Sequence, residues 1–132
     1  MALGWPSTGP EDPLHRAKHA PALKRVRAFC LALPDAGEKI SRGHMPIFTS
    51  GGKNFAIVAR SEARASLWIA AAPGAQQVLT EAEPQRYYRP PYVGARGWVG
   101  AWLDVDVDWA ALEALLREGH ELAAPPKRRR RV

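Results

Sequence analysis

The sequence predicts an α+β domain: an antiparallel sheet with two long helices packed on one face. Three observations predict it. Segments 21–33 and 108–122 each carry apolar residues at helical spacing along a single stripe. Between them lie short runs of strand-forming residues punctuated by Gly and Pro. Strands and helices do not alternate in the way that builds a parallel nucleotide-binding sheet, and there is no internal repeat.

The first helix, "PALKRVRAFCLAL", opens on Pro21, whose missing N–H would lack a partner in a first turn anyway. Leu23, Val26, Phe29, Cys30 and Leu33 form its stripe, Lys24, Arg25 and Arg27 point elsewhere, and Pro34 stops it near Leu33. "GEKIS" is a weak strand. "PIFTS" (46–50), Gly51-Gly52 and "KNFAIVA" (53–59) read as a β-hairpin, because a Gly pair takes the positive φ angles of a two-residue turn. In its second strand Phe55 and Ile57 are expected on one face, and Asn54, Ala56 and Val58 on the other. "ASLWIAA" (65–71) is a third strand, reached through the polar "RSEAR". "PGAQQVLTEA" (73–82) is a short helix with Val78 and Leu79 turned inward. "PQRYYRPPYVGARG" reads as irregular. "GWVGAWLDV" (97–105) is the last strand, alternating Trp98, Gly100 and Trp102 with Val99, Ala101 and Leu103. "DWAALEALLREGHEL" (108–122) is the second long helix, with Asp108 as N-cap and Trp109, Leu112, Leu115, Leu116 and Leu122 on its apolar face. Trp109 is expected to be largely buried.

The chain has 132 residues, which suits one domain. The organisation expected is an N-terminal arm (1–20), one domain (21–126) and a basic tail (127–132). No apolar run approaches the roughly 20 residues of a membrane span. "MALGWPSTGPEDP" has no basic segment followed by an apolar one, so no secretory signal is expected and a cytoplasmic setting is. The one cysteine, Cys30, excludes an internal disulfide and reads as a buried apolar side chain. The formal charge is +6, but the tail "KRRRRV" holds five cations. Without them 14 Lys and Arg face 13 Asp and Glu, a net of +1. The basic balance is a tail property, and such a run attracts nucleic acid without sequence preference.

Taken together, "RAFCLALPDAGEK", "GHMPIFTSGGKNFAIV", "PQRYYRPPYVGARGWVGAWLD" and "DWAALEALLREGHEL" resemble the MmcQ/YjbR family of small bacterial proteins, over residues 21–126. The resemblance implies a CyaY-like fold, and the family's name implies DNA binding. A frataxin-like iron ridge is not expected, because the first helix has no Asp or Glu between Ala20 and Pro34.

No catalytic motif stands out: there is no CxxC, HExxH, GxSxG or Gly-rich phosphate loop. His15 and His19 make a two-ligand pair without a third. His44 has no carboxylate partner nearby in sequence and reads as structural. Asp104, Asp106 and Asp108 read as a solvated strand-to-helix junction. No metal and no cofactor are expected, and a binding protein is expected rather than an enzyme. Cations mixed with aromatics single out Arg42, His44, Lys53, Arg89, Tyr92 and Arg96, together with Lys127, Arg128, Arg129, Arg130 and Arg131, as candidate nucleic-acid contacts. Non-specific DNA is the expected partner, bound mainly by the tail. A protein-interaction module and a small-molecule binder are the alternatives.

Overall fold

The computed structural model describes residues 19–41 and 45–125. In chain order the elements are α1 (Ala20–Leu31), β1 (Ala36–Ile40), β2 (Pro46–Ser50), β3 (Lys53–Ser61), β4 (Arg64–Ile69), α2 (Ala75–Ala82), β5 (Tyr87–Tyr88), a 3-10 turn (Val93–Arg96), β6 (Val99–Trp102) and α3 (Trp109–Ala123). The six strands form one antiparallel sheet in the order β1-β2-β3-β4-β6-β5. None of the described helices is long and apolar enough to cross a membrane.

Both long helices cover the same face, as their single stripes require. Leu23, Val26 and Cys30 of α1 and Leu112 and Leu116 of α3 share one core with Phe48, Val58, Leu67, Ile69 and Val99 of the sheet. Pro21 stands in the first turn of α1, and the Asp108 side chain accepts from the Ala111 N–H at 3.2 Å to cap α3. Arg25 ties the helices together, lying 4.5 Å from the Trp109 ring centroid and 3.0 Å from Glu113. Burial pushes the Cys30 thiol up to about 12, so it stays protonated and packs as a small apolar group.

The sheet's other face is buried as well. Ala59, Trp68 and Trp98 form a second cluster, with Met45, Ile57, Tyr88 and Val93 packed against it. The β6 alternation therefore divides two cores: Val99, Ala101 and Leu103 face the helices, while Trp98 joins the opposite cluster.

Several expectations are corrected. Phe55 and Ile57 do not share a face. The register slips between Phe48, opposite Ala56, and Thr49, opposite Asn54, which leaves Phe55 as an extra residue. This bulge lets Phe55 join Ala56 and Val58 under the helices and sends Ile57 to the other side. Val78 is 64% exposed, because α2 leans on the sheet through Leu79 alone of the two. Leu122 is also exposed, since α3 is near its end there. Trp109 is only half-buried, its ring covered by Arg25 rather than sealed in the core. "RSEAR" shortens to a two-residue turn, Glu62-Ala63, with φ of 52° and 61°, matching the positive φ angles of Gly51-Gly52 but carrying side chains. Part of the segment read as irregular is β5, whose Tyr87 and Tyr88 pair with Ala101 and Gly100. Helix α1 ends two residues before Leu33.

His120, which the α3 pattern did not single out, is 3% exposed. Its Nε2 lies 2.6 Å from the Pro34 carbonyl, so it carries a proton and donates, and its ring meets Phe55 edge-on at 5.3 Å.

These burials set an order of stability. Leu116→Ala, at a fully buried position, should cost roughly 2–5 kcal/mol, whereas Trp109→Ala should fall well below the roughly 3–5 kcal/mol of a buried Trp. Denaturant midpoints of the two variants check this, with Leu116→Ala the lower.

Candidate functional site

The face opposite the helices is organised around Tyr88. Trp68 Nε1 donates to its hydroxyl at 2.8 Å, and the same oxygen lies 2.7 Å from Ser66 Oγ. Its ring stacks on Trp102, centroids 4.2 Å apart. The stack is possible because the opposing residue is Gly100, where a Cβ would clash with the Tyr88 ring. On the far side of Trp102 lies the Arg64 guanidinium, 3.7 Å from the ring centroid, held there by two 2.7 Å hydrogen bonds to Asp104. The hydrogen bond and charge of Arg64 hold the Asp104 carboxyl below its ordinary range. Asp104 thus belongs to a bidentate pair rather than to a solvated junction. Asp106 is exposed, and its carbonyl accepts from Arg86 at 2.7 Å.

Tyr88 leads into the segment that roofs this face. Pro90 is buried, and Tyr92 then takes φ 61°, ψ −74°, with the Val93 N–H bonded to the Pro91 carbonyl at 2.6 Å. That is a γ-turn with positive central φ, a rare and strained form. Gln76 of α2 clamps the segment by donating to the carbonyls of Gly94 and Trp98. Arg89 lies alongside, with Nη1 3.5 Å from Gln76 Oε1. Trp98 is 4% exposed and Arg96 sits over its ring, 5.5 Å from the centroid.

Where this roof meets the start of β3 and the last turn of α3 there is an open cleft of about 150 Å3. Its walls are Lys53 and Asn54 of β3, Ala70 and Ala71 after β4, Arg96 and Trp98 of the roof, and Leu122 and Ala123 of α3. None of these is a carboxylate. Among the described residues neither Lys53 nor Arg96 is ion-paired, while Arg25, Arg27, Arg64 and Arg86 are paired with Glu113, Glu38, Asp104 and Glu83. Pro125 closes the corner: a Cβ on Gly51 would come within 2.9 Å of its ring. The larger groove between α1 and the β6–α3 connection, about 410 Å3, carries both Arg25 and Asp106 and so has no single sign.

Of the residues the sequence singled out, Lys53 and Arg96 come together in the cleft. Arg89 and Tyr92 lie on the same roof, Tyr92 86% exposed. Arg42, His44 and Lys127 to Arg131 fall outside the described residues, as does His15. His19 is buried. The contributions of Asn54, Leu122 and Pro125 carried no sequence signal, because they arise where distant segments meet. Among the described residues no group of three or more His, Cys, Asp and Glu could hold a metal ion.

An antiparallel sheet with two helices on one face, roofed on the other by its own chain, is the architecture of a known class of small α+β domain. The family model YjbR matches residues 31–122, and the chain belongs to the YjbR family. Among solved structures it is similar to the Deinococcus radiodurans protein DR2400, which carries a DUF419 domain, with a TM-score of 0.65 and 23% identity over 76% of each chain. At that identity the likeness shows the fold alone. No curated protein matches the chain.

The Arg64–Asp104 pair gives a pH signature. Its carboxyl titrates lower in the folded state than in the unfolded, so its contribution is complete above about pH 4 and is lost as pH falls through the folded value. The stability gap between the parent and Asp104→Asn should be constant from neutral pH to about pH 5 and shrink below pH 4. Urea midpoints over an acid series check it.

Proposed function

We propose that this protein is a non-enzymatic nucleic-acid-binding domain that holds the phosphate backbone without sequence preference. Its interface is the corner where the β2–β3 turn, the roof segment and the end of α3 meet. The observation that carries the reading is the cleft itself, which gathers Lys53 and Arg96 with no carboxylate in its walls. Pro125, the last described residue, supports it, because its ring lies against Gly51 at the turn that leads into Lys53. The basic run begins two residues further on in the sequence. On this reading the hairpin and the basic run contribute to one interface rather than competing as separate sites. The cleft is concave but open, which suits a chain passing through it more than an enclosed small molecule.

A fluorescence-anisotropy titration with labelled duplex DNA over a salt series tests this. Each neutralised phosphate contributes about 0.9 to the slope of log K against log salt. Five cations of the run plus Lys53 and Arg96 set a limit of about −6. Lys53→Ala with Arg96→Ala should reduce the slope by about 2 and weaken binding to all sequences alike. Deleting residues 127–132 should reduce it by about 4 to 5. A silent double variant would confine binding to the basic run. No binding by the parent at low salt would exclude nucleic acid and favour a protein partner.

A further inference from the structure

Among the described residues Tyr92 stands apart from the other aromatics. Trp68, Trp98, Trp102 and Tyr87 are each at most 7% exposed, whereas Tyr92 is 86% exposed. It is also held out under strain, since positive φ at a non-glycine residue costs free energy that only surrounding structure can sustain. Pro90 and Pro91 before it, and the Gln76 clamp after it, fix that backbone. Glycine would relieve the strain, but it would remove the ring. The ring is 6.5 Å from Trp68, which packs with Trp98, and Trp98 lines the cleft with Arg96 and Lys53. One face therefore presents, in sequence, an exposed ring, a buried aromatic bed and two unpaired cations.

We infer that Tyr92 is a base-stacking residue and that the preferred ligand is single-stranded nucleic acid. This rests on the nucleic-acid reading and deepens it. An unpaired base offers its flat face to a phenol ring while the adjoining phosphates meet Arg96 and Lys53. In a duplex the bases are already stacked on each other, and Tyr92 has nothing to receive.

The test uses the full chain and three labelled probes: a single-stranded oligothymidylate, an abasic strand of equal length and the matching duplex. Tyr92→Gly keeps the positive φ, so it should melt at or above the parent's temperature. It should bind the base-bearing strand about 5- to 100-fold more weakly, the range of one lost base–aromatic stack. The abasic strand and the duplex should bind parent and variant alike, and Tyr92→Phe should match the parent on all three. An equal loss on the abasic strand, or no loss on the base-bearing one, overturns the stacking role while leaving backbone binding intact. Melting several degrees below the parent would make the ring a packing element against Trp68 and overturns it too. A parent that binds none of the three at low salt overturns both readings together.

Discussion

One hydroxyl organises the face of the sheet that the helices leave uncovered. Ser66 Oγ donates to the Ala59 carbonyl at 3.3 Å, so it must accept from Tyr88, whose oxygen in turn accepts from Trp68 Nε1. The order of donors is forced along the whole relay, and each buried polar group in it is satisfied. Removing the Tyr88 hydroxyl would strand the Trp68 N–H, at a cost of about 1–3 kcal/mol for a buried unpaired donor. More depends on it than that. A strand of two residues cannot hold itself, and β5 is anchored through this side chain to β4 and, by stacking, to Trp102 on β6. The roof from Arg89 to Trp98 hangs from that anchor at one end and from β6 at the other.

Two-sided burial explains how a nearly neutral domain acquires a corner of one sign. Four acidic side chains of the other surfaces are engaged in pairs: Glu113 with Arg25 across the helices, Glu38 with Arg27, Asp104 with Arg64 at the rim, and Glu83 with Arg86. Exposed pairs of this kind contribute little stability individually. Their effect lies in placement, since they cancel charge where helices and strands meet. The corner formed by Lys53, Arg96 and the end of α3 has no such acid in its walls.

The helix-covered half of the fold was legible in the sequence. Stripes at 3.6-residue spacing located α1 and α3, the Gly pair located the β2–β3 turn, and Asp108 announced its own cap. What escaped was decided by contacts between distant segments. Periodicity assumes an unbroken pleat, and the Phe55 bulge breaks it. Apolar residues on a helix look like core, yet Val78 and Leu122 are exposed. Pro90 and Pro91 made the roof look formless, although they help to fix it, and β5 was too short to show alternation. For the site, residue type was enough to pick out Lys53, Arg96 and Tyr92. That the first two share a cleft follows from the crossing of β3, the roof and α3, which no local pattern encodes.

The Gln76 clamp and the Tyr88 anchor also have a kinetic consequence. A surface whose loop is already fastened at both ends has little conformational freedom left to lose when something settles on it. Association then need not wait for a rare open form, and the ordering penalty that slows flexible recognition loops is largely absent. On the proposed reading, encounter is governed by the field of Lys53 and Arg96, and so by ionic strength. Substitutions at the uncharged positions of the roof should then alter residence time far more than arrival.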